Sequence, residues 1–294
     1  MGTRFVVVHY HILKNGGSTI ESVLRREFGP GFATFDESCA EAALDQSDLA
    51  AFLAARPDIS AVSSHHLRYP KPAVRNMVIF DCCFLRHPLD RLQSLYAWAR
   101  RNNSSDLLSR MARAVSSREF VHGLLHEFPH MVSNVQVTLL ANAGAFTRPA
   151  NESDLGIATS ILREMAIPGL VELFDESLIA AEYFLRPAFP GIRLHCQPQN
   201  VSRPGEQHRA GQEEELENKL LALWGAGTYA DLCRLNEFDL ELYHRARREV
   251  ERRFFLVPGL GERTADFEAR CSRRPAPAVL DLELVTPEIS AARR

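Results

Sequence analysis

The stretch Phe5-Val-Val-Val-His-Tyr-His-Ile-Leu-Lys-Asn-Gly-Gly-Ser-Thr-Ile-Glu-Ser-Val-Leu24 leaves this chain few choices of fold. Phe5 to Ile12 is apolar and β-branched, and short enough for a buried strand. Lys14 to Thr19 is loop by composition. Thr19 to Phe28 places Ile20, Val23, Leu24 and Phe28 on one helical face. Ser18 or Thr19 is the expected cap. A buried strand that turns through glycines into a helix is the opening unit of a parallel α/β sheet. It also makes an anion site. Gly16 and Gly17 let backbone approach a ligand closely, and the helix start offers unpaired N–H groups at a positive dipole end. Lys14 adds charge, and Ser18 and Thr19 add hydroxyl donors. The loop is not a Walker A motif, because Lys14 precedes both glycines.

The pattern repeats downstream. Ala40 to Ala55 reads as helix and Ile59 to Ser64 as a short strand. Met77 to Leu85 is a second buried strand, followed by a helix from about Pro88, where proline suits the first turn. Asp106 to Ala143 reads as mostly helical with a break near Pro129. Ala158 to Met165 reads as helix, Gly169 to Phe174 as strand, Glu176 to Phe184 as helix and Ile192 to Cys196 as a short strand. Gln212 to Trp224 and Asn236 to Phe255 are the last helices. The alternation predicts an α/β, P-loop-like three-layer fold with a mostly parallel central sheet. One domain over residues 1–270 and a weakly ordered tail over 271–294 are expected.

Two further segments carry chemistry. Arg86-His-Pro-Leu-Asp-Arg-Leu-Gln-Ser94 begins at a strand end and runs two turns into a helix. A guanidinium fork at Arg86 and the hydroxyl of Ser94 suit a phosphate. Arg91 is expected to support the turn through a carboxylate or carbonyls. Ser63-Ser64-His65-His66-Leu67 ends a strand between the two anion segments. Histidine titrates near neutrality and suits a base that deprotonates a hydroxyl. His9, His11 and His87 are expected to be structural or loop-shaping.

His11-Ile-Leu-Lys-Asn-Gly-Gly-Ser-Thr19 resembles the 5′-phosphosulfate loop of sulfotransferases that use 3′-phosphoadenosine 5′-phosphosulfate (PAPS). The similarity is nearest to the uronyl and heparan 2-O-sulfotransferase branch and its bacterial relatives. It extends through the R-x-P-x-x-R-x-x-S-x-Y pattern from Arg86 to Tyr96, Asn134 to Thr138, Gly169 to Leu178, Gln199 to Arg203 and Asn236 to Tyr243. It implies that Lys14, Asn15, Gly16, Gly17, Ser18 and Thr19 hold the 5′ end of PAPS. It implies that Arg86 and Ser94 grip the 3′-phosphate, and that Ser202 and Arg203 close over the nucleotide. His66, followed by Leu67, fits the family's base slightly better than His65. Asn15 departs from the Thr or Ser common after the lysine, but still carries donors. Asn134, Asp175 or Ser177 as a cap, and Asn236 to Tyr243 are read as scaffold. The implied reaction moves the sulfuryl group to an acceptor hydroxyl, expected on a carbohydrate, without a metal.

Composition narrows the alternatives. The 294 residues are 46% hydrophobic, ample for a core, and the net charge of -3 gives no global basic excess for nucleic acid. No apolar run approaches the roughly 20 residues of a membrane helix. Together with the absence of a leader-like start, this suggests a bacterial-type cytoplasmic protein, unlike the anchored Golgi members of the family. Six cysteines without a C-x-x-C pair read as buried free thiols. Two rivals remain: an ATP-dependent kinase, for which Asp81 is a candidate Mg²⁺ carboxylate, and a nucleotide-binding module without catalysis.

Overall fold

Strands β1 (Arg4–Tyr10), β2 (Phe32–Thr34), β3 (Ala61–Ser64), β4 (Met77–Leu85) and β5 (Ile167–Leu170) form one sheet in the order β2-β3-β1-β4-β5. Every pairing is parallel. The computed structural model describes residues 2–39, 42–195 and 212–272. Val6, Val7 and Val8 of β1 are fully buried. That is the behaviour of a central strand covered on both faces, and it explains the unbroken apolar run.

Helices α1 (Gly17–Phe28), α8 (Phe174–Leu185) and α12 (Leu260–Ser272) cover one face, with Ile20, Leu24, Leu178, Ala181 and Phe267 packed on Val7, Cys82 and Phe84. On the other face lie α2 (Gln46–Ala55), α6 (Val135–Ala141), α7 (Glu152–Glu164) and α11 (Glu237–Phe255). There Leu49, Val137, Leu162 and Leu242 meet Val6, Val8 and Leu85. The fold is therefore a three-layer α/β sandwich. Helices α3 (Pro88–Arg101), α4 (Leu107–Ala114), α5 (Ser117–Glu127), α9 (Gln212–Trp224) and α10 (Ala226–Leu235) close a third, all-helical cluster around Leu92, Phe120 and Trp224.

After β1 the chain moves to one side of that strand for β2 and β3, then crosses to the other for β4 and β5. The topological switch point therefore lies between β1 and β4. In open parallel sheets the crevice beyond the carboxyl ends at such a point is where ligands bind. The loop after β1 and the turn after β4 are the two segments the sequence marks as anion-binding.

Several local expectations are corrected. The α1 cap is Gly16 in a left-handed conformation without a side-chain bond, so Ser18 and Thr19 sit inside the first turn. Asp45 caps α2 through a reciprocal bond with Asp48, which moves its start to Gln46. The run from Gly169 stays strand only to Leu170, then forms a short 3-10 turn over Val171–Leu173. Asp175 does not cap α8, and the Ser177 hydroxyl instead donates to Leu173 O and accepts from Leu170 N–H. Residues 192–195 are not strand. Cys82 and Cys83 are buried thiols, but Cys39 is exposed. Helix α12 runs through Ser272, past the expected end of the domain, and residues 273–294 lie outside the described residues.

Candidate functional site

Two reciprocal caps build the floor of the site. Asn134 Oδ1 accepts the Phe238 and Asp239 N–H groups at the start of α11, at 3.1 and 3.0 Å. Asp239 in turn accepts the Gln136 and Val137 N–H groups at the start of α6, at 3.0 and 2.8 Å. Each side chain satisfies donors that the other helix cannot pair internally. Asn134 and Asn236 are thus scaffold, as the sequence suggests. Between them Gln136 becomes rigid. Its Oε1 accepts Arg86 N–H at 3.0 Å and Asn15 Nδ2 at 2.8 Å, while its Nε2 donates to Arg86 O at 2.8 Å. One amide therefore clamps the loop after β1 to the turn after β4.

This arrangement changes the role of Asn15. Its Nδ2 donates to Phe84 O at 2.9 Å as well as to Gln136, so both amide hydrogens are used inside the protein. The residue is buried, and Asn15 positions the loop rather than offering side-chain donors to a ligand. Lys14 and Gly16 both have left-handed backbones, at φ of 70 and 74°. Gly17 serves a different need: a Cβ there would lie 1.8 Å from His11 Nε2. The close approach that Gly17 permits is that of the His11 ring. Gly17→Ala should therefore push His11 aside and lower stability by about 1–3 kcal/mol. An unchanged urea midpoint would show that the ring relaxes without strain.

The loop keeps backbone donors that the protein itself does not use. Among the described residues, the Gly16, Gly17 and Ser18 N–H groups have no protein partner, and they stand at the start of α1. Arg86 reaches across the switch point and donates from Nη1 to Lys14 O at 3.0 Å. Its Nε and Nη2 both bond Asp90 Oδ2, at 2.8 and 2.5 Å, which fixes the fork. Two of the five guanidinium hydrogens then remain for a ligand. The Lys14 ammonium sits 5.3 Å from the centre of the Trp98 ring. Burial and the positive charges of Arg86 and Arg101 push its pKa down to about 8. Ser94 lies one helical turn before Trp98, on the same side of α3, and is half-buried. Lys14 and Arg86 thus bring positive charge together at the switch point in a chain of net negative charge. Arg91 points away from it and donates to Met131 O at 2.6 Å, as expected of a supporting residue. The expected contacts of Ser202 and Arg203 lie outside the described residues.

The two candidate bases share Asp36 and differ in exposure. Glu37 N–H donates to His66 Nδ1 at 3.1 Å. The same nitrogen also lies 3.2 Å from Asp36 Oδ1, so both histidines present Nδ1 to one carboxylate. His65 Nδ1 faces Asp36 Oδ2 at 3.4 Å, a group that can only accept. Its proton is therefore on Nδ1, and Nε2 is left as an acceptor. Asp36 is held in place by His65 N–H at 2.7 Å and the Ser64 hydroxyl at 3.0 Å. Burial raises its pKa, but these bonds and the His65 ring outweigh it and keep the carboxyl well below the usual range. His66 is buried, whereas the His65 side chain is 39% exposed. His65 is therefore the more accessible of the pair, whereas the local sequence context ranks His66 first.

His65 is also joined to the loop. Its ring centre lies 3.7 Å from that of His11, whose Nε2 abuts Gly17. His11 and His9 belong to a histidine cluster of buried, internally bonded rings. His11 Nδ1 bonds Glu21 Oε1 at 2.9 Å, and His9 Nδ1 bonds Ser63 Oγ at 2.8 Å. Ser63 Oγ donates onward to Glu21 Oε1 at 2.9 Å. Burial lowers the pKa of both rings. Glu21, Asp36, Gln136 and Trp98 escape sequence reasoning because their roles depend on contacts between distant segments. His87 stays structural: its N–H donates to Glu172 Oε1 at 2.8 Å and its ring meets Tyr243 edge-on.

Asp81 is occupied. Its Oδ1 takes the Lys71 ammonium at 2.6 Å and Ala166 N–H at 3.0 Å, and its Oδ2 takes the Tyr69 hydroxyl at 3.2 Å. The carboxylate considered for Mg²⁺ thus braces β4.

No family model matches the chain. It is 25% identical over 252 residues to an uncharacterized protein of Archaeoglobus fulgidus, an alignment that covers 82% of this chain and 96% of the archaeal one. Among the described residues no helix is long and apolar enough to cross a membrane.

Proposed function

We propose that this protein is a PAPS-dependent sulfotransferase that acts on a hydroxyl, with carbohydrate as the acceptor class that the resemblance favours. The observation that carries the reading is the contact chain from His65 through His11 to Gly17. It brings an accepting imidazole nitrogen beside an anion-binding loop. In this reading the acceptor oxygen attacks sulfur while His65 Nε2 takes its proton. The bond from sulfur to the 5′-phosphate oxygen breaks, and the leaving phosphate keeps that electron pair. Lys14 and the Gly17 and Ser18 N–H groups face the developing charge, the kind of fixed donor array that stabilises a transition state most. Arg86 and Ser94 hold the 3′-phosphate. The occupied state of Asp81 weighs against the kinase alternative.

Calorimetric titration without metal tests the cofactor. The expected result is tight binding of 3′-phosphoadenosine 5′-phosphate, much weaker binding of ATP, and a loss of about 2–4 kcal/mol on Arg86→Ala, as for a desolvated charged contact. A preference for ATP with Mg²⁺ would remove the sulfotransferase reading and promote the kinase.

A further inference from the structure

Beneath the loop, four polar groups from three elements converge on one point. His9 is the penultimate residue of β1 and His11 follows its end, so the two rings stack on the same side of the strand with centres 5.2 Å apart. Glu21 comes from the second turn of α1 and Ser63 from β3. Tautomers are fixed by the partners. Glu21 can only accept, so His11 Nδ1 carries its proton. Ser63 gives its hydrogen to Glu21, so it accepts from His9 Nδ1. Two imidazole protons and one hydroxyl proton thus hold together a set of atoms that would otherwise be three strong ligands. One ligand atom each from His9, His11 and Glu21 lies within 4.8 Å of the other two. A point between atoms so spaced is at most about 2.8 Å from each, against about 2.0–2.2 Å for zinc bonds to nitrogen and oxygen. Side-chain adjustment of well under an ångström closes the difference.

We infer that His9, His11 and Glu21 form a binding site for a divalent transition metal of the zinc class, with Ser63 Oγ or water as a fourth ligand. Two imidazoles and one carboxylate select Zn²⁺, Co²⁺ or Ni²⁺ over the oxygen-seeking Mg²⁺ and Ca²⁺. The exchange is balanced. The metal takes the place of the Nδ1 protons, each of which moves to the Nε2 of its own ring, and both imidazoles stay neutral. The bound ion ties β1, α1 and the loop between them into one unit, at a point separate from the Lys14 and Arg86 anion cleft. It does not depend on the proposed reaction.

The test is titration of the untagged full-length chain with Co²⁺, read by the visible ligand-field bands of a four-coordinate site. One equivalent should bind, Zn²⁺ should displace it, and Mg²⁺ in excess should not. Glu21→Gln keeps the size and the acceptor but removes the charge, and should weaken binding by more than about tenfold. His244→Gln, remote from the cluster on α11, should leave binding unchanged. A second readout needs no variant. On adding Zn²⁺, ring ¹⁵N signals of His9 and His11 should lose the Nδ1 proton and gain one on Nε2. Absence of the cobalt bands, or metal-dependent shifts confined to other histidines, overturns the site.

Discussion

Lys14→Met should lower the rate of sulfuryl transfer by about 10²–10³-fold, the usual loss when one preorganised group facing a leaving charge is removed. The wild-type protein offers a sharper form of the same prediction. Burial, Arg86 and Arg101 depress the lysine pKa to about 8 in the free protein. Binding of an anion beside it must raise that value, since the charged form gains the partner. Nucleotide binding is then linked to protonation. Below pH 8 the lysine is charged and affinity is flat with respect to this group. Above pH 8 affinity should fall by about tenfold per pH unit until the bound-state pKa is reached. Lys14→Met should bind more weakly at pH 7 and lose this slope. A Kd that is constant from pH 7 to 9.5 in the wild type would separate Lys14 from the anion site.

The second large effect distinguishes neighbouring histidines. His65→Asn should remove the proton acceptor and reduce turnover by about 10²–10⁴-fold while nucleotide affinity changes little. His66→Asn should do less, because that ring is buried and its Nδ1 is engaged by Glu37 N–H. Asp36→Asn should fall between them: it keeps the geometry but removes the charge that orients the His65 ring. The measurement is single-turnover transfer beside a nucleotide titration for each variant. Equal loss in His65→Asn and His66→Asn, or full activity in His65→Asn, would discard the assignment of the base.

The α/β class and the parallel sheet were legible because buried strands advertise themselves. Met77 to Leu85 matches β4 at both ends, while the strand expected to Ile12 ends at Tyr10. Strand β2 escaped notice because three residues carry no usable period. Helix α10 escaped because Ala226 to Leu235 mixes small, polar and apolar residues without a sharp stripe. In the site, charge and spacing pointed to Lys14, Arg86 and the histidine pair. What they could not reveal was occupancy. Asn15 looks like a donor until Phe84 O and Gln136 take both of its hydrogens. His65 and His66 look alike until the segment of Asp36 and Glu37, nearly thirty residues earlier in the chain, packs on them and burial separates the two. Gly17 looks like ligand clearance until the ring of His11 fills the space. Each of these facts is a long-range contact, and composition holds no record of it.

The exchanged caps between α6 and α11 also set a schedule for biosynthesis. The loop at Lys14 leaves the ribosome among the first residues, yet Gln136 is anchored by Asp239, 103 positions further on. A nascent chain can pair β1 with β3 and β4 long before that. Its loop then waits unclamped until most of the polypeptide has emerged. The clamp between the Lys14 loop and the Arg86 turn is completed last, so a truncated product carries the sheet with that loop unfastened.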